Sequence, residues 1–303
     1  MEIRFIKLGN GGCWEKNCIE VDNTIRLGYE SGLHSECIAK NWNAVRAFWL
    51  AARKGSETAA SNDLNQIRDF YELAETDLWI TFYKRKLYWC HAHKNVIEPP
   101  DGTRERKVIG KWSCTSKTGA LLAVENIDGR VTTVQGYRGT ICGVKLPEYV
   151  LRKIEGQVQP DVLAAKQSLL TLERDIEVLV KGLWWKDFEL LVELVFAKAG
   201  WQRVSVLGGT EKEIDLDVIA PVSNQRAFVQ VKSQTSPEEI RKCHEAFKGY
   251  EQYSEMFMVF HTINGLLSQI NINQPNVHIW DSSKIASLVI HAGLVDWLIA
   301  KRT

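Results

Sequence analysis

A chain of 303 residues can hold two domains, each burying its own core, and 45% hydrophobic with 25% charged residues is an ordinary globular composition, neither disordered nor fibrous. The net charge of +1 conceals a positive middle: residues 84–153 carry a net +8, between −3 over 1–83 and −4 over 154–303. No apolar run spans a bilayer and no leader opens the chain, so no membrane is expected, and seven cysteines without a compact framework point to reduced thiols and a cytoplasmic location.

In chain order, residues 3–8 read as a strand, 35–54 as a helix carrying Trp42, Val45 and Trp49, and 63–73 as a second helix. Short strands are predicted at 78–83, 86–92, 106–112, 121–124 and 132–135, a spacing that suits a small curled sheet or barrel. The segment Asp77-Leu78-Trp79-Ile80-Thr81-Phe82, followed by Leu87-Tyr88-Trp89, resembles PUA-like domains, including the EVE type, over about residues 1–145. That resemblance implies nucleic-acid binding, in some members of a modified base flipped out of DNA. A pocket for such a base needs aromatic walls. Trp14, Trp42, Trp49, Trp79, Trp89 and Trp112 all lie in this half, and although most tryptophans are core, Trp79 and Trp89 on adjacent strands are the candidates. Cys13-x₄-Cys18 and His34-x₂-Cys37 lack a Cys-x₂-Cys partner and are not read as zinc ligands.

The positive segment is built from Lys84-Arg85-Lys86, Arg104, Arg106-Lys107, Lys111, Arg130 and Arg138. It is either a solvated surface or a phosphate-binding one; Lys84, Arg85, Lys86, Arg106 and Lys107 are the candidate nucleic-acid contacts. From Pro160 a helical stretch with Leu172, Ile176, Leu179 and Leu183 leads to Trp184-Trp185. The expected organisation is an α+β domain over 1–155, a helical linker over 156–183 and an α/β domain over 184–303.

The last third is the most legible. Phe188, Leu191, Val192, Val195 and Phe196 form one apolar face of a helix, with Asp187 as its N-cap and Gly200 as its stop. Glu189 and Glu193 flank that face. Residues 202–207 read as a strand and Gly208-Gly209-Thr210 as a turn. From 213 to 219, Glu213, Asp215 and Asp217 alternate with Ile214, Leu216 and Val218; from 227 to 233, Phe228, Gln230 and Lys232 share one face. Ser236-Pro237-Glu238-Glu239 is a capping box opening a further helix. Strands at 256–262 and 277–280 and helices after Asp281 and Leu294 complete a mixed sheet covered on both faces. His244 and His261 read as structural.

Taken singly, acids on a strand are a solvated face and Val-Gln-Val-Lys is a common strand. Together, in this order, they bring carboxylates, an amide and an ammonium to one sheet edge. Mg²⁺ needs only one or two carboxylates plus a substrate phosphate, and a lysine can stabilise charge on phosphorus or hold the attacking water.

Asp215, Gln230-Val231-Lys232 and the Asp187-Phe188-Glu189 helix resemble the PD-(D/E)XK nuclease superfamily, and its Mrr-type restriction endonuclease branch in particular, over about residues 184–262. The resemblance implies that Asp215 and Gln230 bind Mg²⁺ (Mn²⁺ substituting), that Lys232 is catalytic, and that Glu189 supports metal or water. The family's Gly-Gly-Ile-Asp is Lys212-Glu213-Ile214-Asp215 here, and Asp217 or Glu193 could share the metal. The expected protein is a Mg²⁺-dependent DNA endonuclease of a restriction or anti-phage system, acting as a homodimer or higher oligomer because one centre cuts one strand. A defence nuclease switched on by a small signal molecule and a non-catalytic DNA-binding protein on a nuclease scaffold are the alternatives.

Overall fold

The computed structural model describes residues 1–204, 215–266, 268, 270 and 272–303. It divides into two compact units, Met1–Gln159 and Pro160–Thr303.

The first unit runs β1 (Ile3–Ile6), β2 (Thr24–Leu27), α1 (His34–Ile38), α2 (Trp42–Ala52), α3 (Glu57–Glu72), β3 (Leu78–Tyr83), β4 (Lys86–Ile97), β5 (Arg104–Ser113), α4 (Gly129–Thr132), β6 (Ile141–Gly143) and α5 (Pro147–Glu155). Its six strands lie in the order β2-β5-β4-β3-β1-β6, antiparallel except where β1 pairs with β3. The sheet is open, with β2 and β6 as its edges, so the expected barrel does not close among the described residues. Helices α2 and α3 bury Val45, Trp49, Leu64, Ile67 and Phe70 on one face; α5 and the 122–134 segment bury Leu122, Val131, Val134, Val150 and Ile154 on the other. Central β3 is therefore buried on both faces, with Leu78, Ile80 and Phe82 in one core and Trp79 in the other.

Three expected elements change here; the strand expected at 121–124 is only a pair of isolated bridges, at Leu121 and Ala123. The helix expected over 35–54 is two helices, broken where Lys40 takes φ 57° and Asn41 caps α2 by accepting from Ala44 N. The strand expected at 132–135 is helical, closing off α4 behind an Asp128 cap.

The second unit runs α6 (Pro160–Lys181), α7 (Trp185–Lys198), β7 (Gln202–Arg203), β8 (Leu216–Ala220), β9 (Gln225–Thr235), α8 (Pro237–Phe247), β10 (Glu255–Ile263), β11 (Val277–Trp280), α9 (Ser282–His291) and α10 (Val295–Arg302). The segment expected to be a linker contains the whole of α6, whose Ile176 and Val180 belong to this unit's core. The sheet order is β11-β10-β9-β8-β7, with β9, β10 and β11 parallel and β7, β8 and β9 antiparallel. Alternation sorts the faces. Val229, Val231, Phe257 and Val259 pack with α6, α7, α9 and α10, while Phe228, Met256, Met258 and Phe260 pack with α8. The mixed sheet thus has helices on both sides. The capping box forms in full, Ser236 and Glu239 each accepting from the other's backbone N–H. Helix α7 is capped by Trp184 rather than Asp187, which sits inside the first turn and pairs with Lys301. Gly200 follows the helix with φ 87°, a left-handed stop that favours glycine.

Candidate active site

The β8–β9 hairpin and the start of α7 supply the chemistry. Asp215, immediately before β8, is fixed opposite β9, its backbone N donating to Val229 O at 3.2 Å. Its Oδ2 accepts from Val231 N at 2.7 Å and from the Gln230 amide. Gln230 is buried; Lys232 returns to the same face two residues later, is exposed, and has no ion-pair partner among the described residues. Gln230 and Lys232 line a cavity of about 200 Å³ with Glu239 and Lys242 of α8.

Glu189 is half-buried on α7, one residue after Phe188, which anchors the helix in the core. Burial and then the Asp215 carboxylate push the Glu189 carboxyl above its usual range, while Lys232, Lys186 and Arg203 pull it back. Asp215 is likewise raised, chiefly by burial, against the Val231 N–H and Lys232. Four of the residues singled out from sequence, Glu189, Asp215, Gln230 and Lys232, therefore share one neighbourhood.

Other candidates are occupied elsewhere. Asp217 is on the same face as Asp215, but it is buried and gripped by both ends of the Arg226 guanidinium, Nε lying 2.8 Å from Oδ1. Glu193 pairs with Arg203 at 2.9 Å. Glu213, the 208–210 turn and residues 205–207 of the expected 202–207 strand lie outside the described residues. His244 meets Gln274 at 3.2 Å, and buried His261 packs edge-on against Phe188 at 4.9 Å.

The residues present suit a hard divalent cation: two carboxylates raised chiefly by burial, Glu189 also by the charge of Asp215, beside an amide. No group of three or more His, Cys, Asp or Glu side chains placed to hold a metal occurs among the described residues; Mg²⁺ commonly completes its shell with water and substrate phosphate.

The expected nucleic-acid contacts divide sharply. Arg106 is fully buried. Its Nε donates to His93 O at 2.6 Å, Nη1 to Phe70 O at 3.0 Å, and Nη2 to Leu73 O and Ala92 O at 3.0 and 3.1 Å. Burial brings its pKa down to about 10. Trp79 is buried beneath that guanidinium, and Trp89 is half-buried with Nε1 on Thr115 O at 2.8 Å. None of these three presents a free binding group to solvent. Lys84, Arg85 and Lys107 are exposed and Lys86 is half-buried; Lys84 and Arg85 hold φ 46° and 58° at the tip of the β3–β4 hairpin, beside Glu20 and Glu125.

One further set is not picked out by sequence reasoning. Trp184 and Trp185 stand 59% and 48% exposed at the start of α7, ring centroids 5.5 Å apart, with the Lys186 ammonium within 5.4 Å of both. The signal that could reveal it is Trp-Trp-Lys at a polar helix start, which in sequence reads only as a domain junction.

No curated protein matches the chain. Among solved structures it is similar to the DNA modification-dependent restriction endonuclease AspBHI, at TM-score 0.30 and 10% identity over 75% of this chain and 68% of that one. It is similar also to MspJI restriction endonuclease in complex with a 27-mer oligonucleotide, at TM-score 0.25 and 13% identity over 82% and 70%. Both scores are too low to carry weight. The family model for the Mrr catalytic domain, described as a restriction endonuclease, matches residues 180–289, which span Glu189, Asp215, Gln230 and Lys232, and on that match the C-terminal unit holds an Mrr-type restriction endonuclease domain.

Proposed function

We propose that the protein is a Mg²⁺-dependent DNA endonuclease, with Mn²⁺ able to substitute, whose first unit contacts the substrate and discriminates among its bases. The observation that carries the reading is the meeting of Glu189, Asp215, Gln230 and Lys232 at one end of the mixed sheet. Asp215 and Glu189 would hold the cation with the oxygen of the Gln230 amide, the other end of the planar group that now donates to Asp215. When bound, the cation supplies Lewis-acid polarisation of the scissile phosphate. Lys232 positions the attacking water and stabilises negative charge developing on phosphorus. Exposed Trp184, Trp185 and Lys186 offer an aromatic and cationic surface for the DNA backbone beside this site. Cutting both strands takes two such centres, hence a homodimer or higher oligomer.

The test is digestion of plain, methylated and hydroxymethylated plasmids with Mg²⁺, Mn²⁺ or chelator. Cleavage of at least one substrate, dependent on the cation, is expected. Intact plasmid in every arm, with folded protein bound to it, would reject the reading in favour of a DNA-binding protein on a nuclease scaffold.

A further inference from the structure

We propose that the first unit holds a nucleobase site, in a cavity of about 490 Å³ walled by Trp14, Tyr29 and Trp49. The proposal deepens the reading that this unit contacts DNA and rests on it. The volume falls within the range of small-molecule pockets, roughly 300–1,000 Å³.

The walls are flat and held in place. Trp49 and Tyr29 meet edge-to-face, centroids 5.3 Å apart at 85°. The Arg26 guanidinium lies 4.7 Å from the Trp14 ring centroid. The backbone presses against that indole at two glycines: a Cβ at Gly9 would stand 3.0 Å from Trp14 Cδ2, and one at Gly28 2.9 Å from Cη2. Side chains at either position would displace the ring, so the glycines keep Trp14 upright as a wall. A wall that is fixed before the ligand arrives costs little ordering entropy on binding.

The polar groups narrow the ligand. Trp49 lines the cavity while most of its ring is packed in the core, so its exposed edge is held in place. Arg138 lines the cavity, is exposed, and forms no ion pair among the described residues, so it can meet a phosphate. Arg53 and Tyr29 are both tied to Asp63, at 2.5 and 3.1 Å, which fixes the rest of the rim. Flat aromatic walls and a guanidinium without an ion pair among the described residues together match a planar heterocycle bearing an anion. A nucleobase with its phosphate has that chemistry, whether lifted out of a duplex or carried by a free nucleotide. Trp79 and Trp89, the aromatics expected from sequence, do not line this cavity.

The test uses the full-length protein without divalent cation, so that binding is read without cleavage. Its ligands are duplexes with cytosine, 5-methylcytosine or 5-hydroxymethylcytosine, deoxynucleoside monophosphates and a cyclic dinucleotide. Its variants are Trp14→Ala, Trp14→Phe, Arg138→Gln and the triple reversal of Lys84, Arg85 and Lys86 to Glu. If the base comes from DNA, Trp14→Ala should weaken the preferred duplex roughly 5- to 150-fold, the range that stacking of one base supplies. It should also level the three duplexes, Trp14→Phe should recover most of the loss, and Arg138→Gln should cost less. If a free nucleotide is bound instead, and lost in Trp14→Ala with recovery in Trp14→Phe, the nucleobase site stands while DNA reading by this unit falls. Weakening by the triple reversal alone, with both pocket variants like wild type, overturns the site and leaves DNA contact standing. Indifference of every ligand to both pocket variants also overturns it.

Discussion

The two units bury charge in opposite ways. In the first, Arg104 and Arg106 are sunk in the core, but every arm of each guanidinium meets an acceptor. Arg106 caps the last carbonyls of α3 and the backbone of β4, and Arg104 reaches Tyr71 Oη at 2.8 Å, Ser31 O at 2.5 Å and Glu98 at 2.8 Å. In the second, Asp215 and Glu189 are partly withdrawn from water and short of positive charge among the described residues; the Val231 N–H and then Lys232 relieve Asp215, and Lys232 is the first relief for Glu189. A buried charge with all its partners is scaffold. A buried charge that the protein leaves underpaired is where a ligand can bind, because the ligand completes the pairing.

Four experiments break or sharpen that contrast. The largest effect is expected from Arg106→Ala, which strips four carbonyls of their donor and opens a hole beside Trp79; about 3 kcal/mol or more of stability should go, read as a large fall in the melting midpoint. Arg106→Lys should not restore it, since one ammonium cannot reach four fixed acceptors. A melting curve like wild type would mean that Arg106 is not the strut described. Next, Asp215→Asn and Lys232→Ala should each lower the cleavage rate by about 10²–10³ or more. Asp215→Asn should leave the melting midpoint no lower, because it relieves a desolvated carboxylate. Cleavage at the wild-type rate in either variant would remove that residue from the active site. Gln230→Glu should retain cleavage.

A smaller effect is expected when Lys84, Arg85 and Lys86 are reversed to Glu. Affinity for plain duplex should fall, and its logarithmic salt dependence should flatten by about 0.9 for each phosphate no longer neutralised. An unchanged slope would make the hairpin tip a solvated turn. The smallest concerns His261, which burial holds below the usual histidine pKa, with Lys181 assisting. The unfolded chain then takes up the proton more readily than the folded one. Stability present above about pH 6.5 should decline as pH falls through that value toward the lower folded pKa. His261→Phe should blunt this decline between pH 7 and 5 in chemical denaturation, and equal declines in the two proteins would contradict it.

What the sequence could tell differed between the units for a physical reason. Strand alternation and helical spacing decide which face a residue shares, and that is enough to group Asp215 with Gln230 and Lys232 and to write the capping box at Ser236. The same rule applied to β5 puts Arg104 and Arg106 on one face with buried Val108, so their period, not their charge, is what marks them as interior. Alternation cannot say that Asp217 meets Arg226, since that contact depends on the β8–β9 register. Nor can spacing see the break at Lys40, which is a single left-handed residue in an otherwise helical pattern. The Trp14 cavity is out of reach for a simpler reason: its walls come from loops and a helix far apart in the chain.

The β8–β9 hairpin has a consequence for how the protein reaches its active form. Asp215 and Gln230 meet at the end of this one local pairing and Lys232 follows two residues on along β9, whereas Glu189 arrives only when α7 docks on the sheet. Hairpins close within about 1–10 μs, and contacts more distant in sequence come later. The expectation is a folding intermediate that already carries three of the four groups yet cannot complete a two-carboxylate site. Pulsed hydrogen exchange, showing amides of 216–231 protected before those of 188–196, would record that order; simultaneous protection would exclude it. On that order the α7 carboxylate would be the last of the four groups to arrive, and the site would stay incomplete until the domain around it is whole.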